Sequence, residues 1–269
     1  QAEARAAGAA RLIGPRNLSR VEDIGLLIDG HQRRPPMLAG YHPPRYQAVL
    51  EAAGFTRRYD MLAYETDLND ATGRPRPLPE GLAQKAAAAR EALGGLSIRR
   101  VGWSSQELRD AHAVFTAAYA DVPEVVPMSL EQFLSLGRVF LLVANHDLMQ
   151  LARMPDGRPV AMAVCLPDLN QALHEARAPQ LTFNGLRRLI PALRRITTAS
   201  FKLIGVVPDL RHSGLHALLI DQVLAGLRRA GYERLEASLI HEDNLPMRRV
   251  VEGAGLTVYQ RYRIFHADL

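Results

Sequence analysis

The segment Val206-Val207-Pro208-Asp209-Leu210-Arg211-His212-Ser213-Gly214-Leu215-His216 holds residue types suited to an anionic ligand. A β-branched run ends, a proline turn follows, and a periodic apolar run then opens a helix. Gly214 has no Cβ, so the backbone there can come close to a ligand. The first amides of a helix lack internal partners and lie at the positive end of its dipole. That combination suits a pyrophosphate, and Arg211 could add a charge-assisted contact. Taken alone, the segment also fits an ordinary strand-to-helix join.

The elements that would position this segment can be read around it. Thr197–Val207 is expected as a strand. Gly214–Gly231 comes next as a helix with Leu215, Leu218, Leu219, Val223 and Leu227 on one stripe. Leu235–Ile240 is a strand, Leu245–Gly253 a helix, and Leu256–Phe265 a closing strand or hairpin. Upstream, Gly81–Leu93 and Ser104 to about Tyr119 read as helices, the second opened by a Ser104/Glu107 capping box. Leu96–Val101, Phe140–Ala144, Leu148–Met154 and Val160–Leu166 read as strands, and Ser129–Leu136 as a short helix. Meandering strands followed by β-α-β-α-β imply an α/β layered fold on a mixed sheet flanked by helices.

An internal echo is present. Leu50-Glu51-Ala52-Ala53-Gly54-Phe55-Thr56 matches Val251-Glu252-Gly253-Ala254-Gly255-Leu256-Thr257, and Tyr64 falls opposite Phe265 at the same offset. In each copy a helix ends at glycine and a strand comes after it (Arg45–Ala53 then Thr56–Glu65 in the first). Helix-glycine-strand is a common join, so the identity marks either a repeat or a coincidence of punctuation. The Asp-, Asn- and Pro-rich stretch Thr66–Glu80 is the expected domain boundary.

Together with the chain downstream of it, the segment resembles the acetyl-CoA signature of the GNAT superfamily of N-acyltransferases. Arg211 and Gly214 stand at the first two marked positions. A long helix, the strand Leu235–Ile240, Asn244, a short helix and Ala254-Gly255-Leu256 come in the family's order. The resemblance spans Leu96–Leu269. It implies a GNAT-like acyltransferase domain over 96–269, a linker and helix over 67–95, and the closing part of a first GNAT-like unit over 1–66. It also implies acyl-CoA, a coenzyme A thioester, as co-substrate. Val206, Val207, Arg211, His212, Ser213, Gly214, Leu215, His216 and Asn244 would bind that cofactor. Two departures stand out. His216 occupies a position the family gives to glycine or alanine, and Val251 one where many members have a tyrosine acid.

Amide formation from a thioester needs a deprotonated amine, a polarised carbonyl and a protonated leaving thiol. Strand alternation puts Glu236, Ser238 and Ile240 on one face. Glu236 is the candidate base, against the alternative of a solvated strand-end carboxylate. Tyr262, with Tyr259 nearby, is the candidate acid. Asp168 and Asn170 open an excursion that ends near Thr197; they could hold an acceptor amine or simply cap a turn. Tyr41 and His42 could complete the same pocket or pack an interface. Within the excursion, residues 181–196 form an amphipathic stretch with Leu186, Leu189, Ile190 and Leu193 at helical spacing, interrupted by Pro191. It reads either as a helix packed on the domain or as a lipid-facing element. The second reading would make donor or acceptor long-chain.

Composition narrows the rest. The net charge is +5, and almost all of the positive charge is arginine, the lysines being Lys85 and Lys202. With abundant alanine this reads as the codon bias of a GC-rich genome rather than a nucleic-acid footprint, and aromatics do not interleave with the basic residues. No apolar run approaches a membrane span. The single cysteine, Cys165, fits a reducing, cytoplasmic setting and a buried strand. No metal is expected. The acceptor class is a small-molecule or lipid amine. The alternative to an enzyme is a non-catalytic GNAT-fold module, which His216 and Val251 keep open.

Overall fold

The computed structural model describes residues 2–17, 24–102, 104–121, 128–143, 148–176 and 183–269; for 142, 143, 183, 184 and 186 it describes the backbone alone. In chain order the elements begin with α1 (Ala2–Ala6), β1 (Arg11–Gly14), β2 (Leu26–Asp29), α2 (Arg45–Ala52) and β3 (Thr56–Asp67). Next come α3 (Glu80–Ala92), β4 (Ser97–Arg100), α4 (Ser105–Tyr119), α5 (Leu130–Val143), β5 (Met149–Arg153) and β6 (Pro159–Pro167). The chain continues with α6 (Leu169–Ala176), α7 (Phe183–Leu193), β7 (Thr198–Val206) and α8 (Leu215–Arg229). It closes with β8 (Arg234–His241), α9 (Leu245–Gly253) and β9 (Thr257–Asp268). Two compact units result, 1–66 with 236–269, and 67–235. The division falls at Thr66/Asp67. Residues 236–269, expected in one domain with 96–235, group with 1–66 instead.

In the unit 67–235, β4, β5, β6 and β7 form an antiparallel meander. Val160–Leu166 of β6 is buried without alternation, because helices α4 and α8 both pack on this strand. Cys165 is fully buried there. Gly205 on β7 admits α4: a Cβ at this position would lie 3.0 Å from that of Ala118. The Tyr119 hydroxyl donates to the Ile204 carbonyl at 2.9 Å, closing the same contact.

One sequence expectation fails here. Phe140–Ala144 is not a strand; its described part, to Val143, continues α5. A lone glycine, Gly137, is the one break signal between the run and the helix before it, and a short apolar run cannot be assigned by periodicity alone. Gly137 does not break the helix. It lets α5 approach α4, with a Cβ there meeting Leu108 at 3.0 Å. The excursion after β6 is likewise more regular than expected, forming α6 and α7; residues 181–182 of the amphipathic stretch lie outside the described residues.

In the other unit the strand order is β1-β9-β3-β8, with β2 also on β9. The two echo strands, β3 and β9, pair antiparallel with each other. Thr56 faces His266 and Glu65 faces Thr257; Arg57 faces Phe265 and Tyr64 faces Val258. Thr56 and Thr257 hold equivalent places in the repeat, as do Glu65 and His266, so exchanging the copies maps the ladder onto itself. The register shifts obey the same exchange, one skipping Arg58 and the other Tyr259. A local two-fold therefore passes through the Met61–Tyr262 pair. These two side chains pack with Leu27 and Ala39 into the unit's core, joined by Tyr59 and Leu239. The echo is a structural repeat whose strands are exchanged: each closing strand lies between the other copy's closing strand and that copy's leading strand.

Candidate functional site

The anion-binding segment is built from the end of β7. Val207 is buried, and its amide donates to the Val160 carbonyl at 2.9 Å, which holds the strand end to β6. Pro208–Leu210 makes one 3-10 turn. The turn is locked when the Ser213 hydroxyl donates to the Leu210 carbonyl at 2.7 Å and accepts from the Leu215 amide at 3.3 Å. Gly214 then takes the left-handed conformation, φ 79°, and starts α8. The Gly214 carbonyl accepts from the amides of Ala217 and Leu218. Among the described residues the amides of His212, Gly214 and His216 have no backbone acceptor. Three open donors at alternate positions, at the start of a 15-residue helix, make a concentration of positive potential.

Side chains of the segment also make contacts within the protein. Arg211 reaches the C-terminal end of α4, donating to the Ala118 carbonyl at 3.2 Å and the Asp121 carboxylate at 3.3 Å. It braces the loop. Asp209, in turn, pairs with Arg158 of the β5–β6 turn at 3.0 Å. The reason for glycine at 214 lies partly in α3. A Cβ there would stand 2.8 Å from the Lys85 carbonyl oxygen and 3.3 Å from the Ala89 Cβ. Sequence reasoning missed this neighbour; its trace is the small residues Ala86 and Ala89, on the buried face of α3. His212 is exposed, while Val206 and His216 are half-buried. Burial lowers the His216 pKa and the charge of Lys85 lowers it further, so the imidazole is neutral near pH 7.

The remaining candidates are spread over both units. Asp168 is buried and accepts from the Asn170 amide at 3.1 Å, while its own carbonyl accepts from Gln171. It caps the start of α6, the plainer of its two expected roles. Glu236 is 4% exposed on β8, so the solvated alternative does not hold. Asn244 is the N-cap of α9, its side-chain oxygen accepting from the Met247 amide at 3.2 Å. Tyr262 is fully buried, its hydroxyl 3.5 Å from the Gln260 side-chain oxygen. His42 accepts from the Leu27 amide through Nδ1 at 3.2 Å, and Tyr41 is exposed. The described residues contain no cluster of His, Cys, Asp and Glu able to hold a metal.

No family model matches the chain. It is 28% identical to the bacterial ceramide synthase of Caulobacter vibrioides, over 98% of this chain and 68% of that protein. It is 25% identical to the protein YghO of Escherichia coli K12, over 97% of this chain and 67% of that one. The chain thus spans about two thirds of these relatives' length. Among solved structures, a GCN5-related N-acetyltransferase from Sphaerobacter thermophilus superposes with a TM-score of 0.55 at 17% identity, over 84% of this chain and 56% of that one. A tandem GNAT protein from the clavulanic acid biosynthesis pathway superposes with a TM-score of 0.53 at 15% identity, over 99% of this chain and 66% of that one. By its β7–loop–α8 unit, its repeated closing strands and these superpositions, the chain is a protein of the GNAT fold, of the tandem kind.

Proposed function

We propose that the chain is an N-acyltransferase that passes an acyl group from acyl-CoA to a primary amine, in particular a long-chain or lipid amine. The observation that carries this reading is the row of open amides at His212, Gly214 and His216, braced from α4 and backed by α3. Such donors match a pyrophosphate, the part of coenzyme A common to every acyl donor. The amine nitrogen attacks the thioester carbonyl carbon, the carbon–sulfur bond breaks, the nitrogen loses a proton and the sulfur gains one. Glu236 is the proposed base, being a buried carboxylate on the strand that comes after α8. The place of Tyr262 on the two-fold axis, inside an apolar core, favours packing over proton transfer. The lipid acceptor is drawn from the Caulobacter relative, since ceramides are N-acyl lipids.

Coenzyme A, acetyl-CoA and palmitoyl-CoA should each raise the thermal midpoint. At a hundred times the dissociation constant the stabilisation is about 2.7 kcal/mol. A null result with all three ends the acyl-CoA reading. Binding without amide formation from any long-chain amine leaves the non-catalytic module, the reading favoured by His216 at the small-residue position. Glu236→Gln should lower turnover about a hundredfold or more while leaving the coenzyme A shift intact. Unchanged turnover would remove Glu236 from the mechanism.

A further inference from the structure

The helical excursion after β6 carries a feature that acyl transfer from a soluble donor does not require. Helices α6 and α7 pack on each other through Ala172, Ala176 and Ala192, with Leu189 against them. That contact accounts for one face of α7. On the other side Ile190 is 49% exposed and Leu193 38%. Helical spacing makes Arg187 the neighbour of Ile190 at i−3 and Leu193 its neighbour at i+3, and Arg194 follows directly on the end of the helix. Arg188 is exposed one position on. Among the described residues none of Arg187, Arg188 and Arg194 has a carboxylate within ion-pair distance; Arg195 does, bonding Glu175 at 2.7 Å. The sequence from Arg177 to Ile196 contains no acidic residue at all.

A solvated helix face usually mixes charges of both signs and keeps isoleucine out of water. Here one sign of charge surrounds exposed aliphatic side chains. Arginine stems are apolar and their heads weakly hydrated, so they lie along a boundary between hydrocarbon and water. We infer that α7 is a docking element for an anionic lipid surface. Ile190 and Leu193 enter the acyl boundary while Arg187, Arg188 and Arg194 meet the headgroup phosphates. An acidic protein would satisfy the arginines equally well. It is the two exposed aliphatic residues between them that select a bilayer.

Docking of this kind is independent of thioester chemistry, and binding alone tests it. The full chain is floated with vesicles of phosphatidylcholine, or of phosphatidylcholine with phosphatidylglycerol, at low and high salt. It should rise with the anionic vesicles only, and less as salt screens the contact. Neutralising two arginines, Arg187→Gln with Arg194→Gln, should weaken partitioning about 25-fold, at roughly fivefold for each basic residue. Ile190→Ser with Leu193→Ser should weaken it about tenfold or more with every charge in place. Thermal midpoints of both variants establish that they fold. Equal binding to neutral vesicles, no binding to either, or full binding by either folded variant overturns the inference. No binding to either kind of vesicle would point to an acidic protein partner instead.

Discussion

The segments 45–67 and 245–268 have the same order of helix, glycine and strand, and their strands pair about a common two-fold, yet their details differ. The helix of the second copy is capped: Asn244 accepts from Met247, whereas α2 begins at Pro44 with no side-chain cap. The second helix covers Tyr64 of the first copy's strand. The Tyr64 hydroxyl donates to Glu252 at 2.8 Å and accepts from Arg248 at 3.2 Å. At the equivalent places the first copy has Gln47 and Glu51, bonded to each other at 2.9 Å, and the residue matching Tyr64 is Phe265. Asp60 grips Arg263 with two bonds of 2.8 and 3.0 Å, and the exchanged pair is Leu62 facing Arg261. The backbone has kept the symmetry while the polar contacts have moved to the side of α9. A ladder defined by backbone bonds tolerates divergence of its side chains; buried polar groups do not, because each needs its own partner.

The largest break in this asymmetry should come from Asp60→Asn. Breaking a buried pair from one side costs about 3 kcal/mol, and urea denaturation at pH 7 should show a loss of that order. Burial by itself would push the Asp60 carboxyl up, but hydrogen bonds and charge from Arg263, with Arg57 behind it, hold it below its ordinary value of 3.8. A depressed carboxylate stabilises the fold above its unfolded pKa and loses that contribution as pH falls through the folded one. Wild type and Asp60→Asn should therefore differ at neutral pH and converge in acid below about pH 4. A gap that persists there would assign the loss to packing.

Tyr64→Phe restores the residue found in the other copy. It removes one hydroxyl from a carboxylate and a guanidinium, and should cost about 1 to 2 kcal/mol by the same denaturation. No loss would mean that Glu252 and Arg248 complete the contact between themselves, as Gln47 and Glu51 do. The smallest effect is at the helix starts. Asn244→Ala should cost about 1 kcal/mol, and Pro44→Ala, at the N-cap of α2, close to nothing. Equal costs would make the two caps equivalent after all.

Much of this architecture is legible in the chain. The stripe Leu215, Leu218, Leu219, Val223, Leu227 gives α8, and its position after Gly214 gives the open amides. The echo at Gly54 and Gly255 gives the repeat. Its exchange is not legible, because identical segments reveal that they are alike and say nothing of which strand lies beside which. In the sequence, glycine at 214 points to a ligand or to an ordinary helix start, and the Lys85 carbonyl that a Cβ there would meet belongs to a helix more than a hundred residues away in the chain. Asn244 and Asp168 invite attention for the chemistry their side chains could offer. Each serves a helix start in the structure, a local demand that leaves the same residue types in the sequence.

The axis at Met61 and Tyr262 has a further consequence. In an assembly of identical chains, a residue on a two-fold meets its own copy, so only self-complementary choices fit there. Joining both copies in one chain lifts that restriction. The position can hold a thioether on one side and a phenol on the other, and the two can be tuned separately. The centre of the repeat is thus where a fused pair has the most freedom that a dimer lacks. Any sequence in which this position differs between copies, as it does here, is specialised for the covalent arrangement.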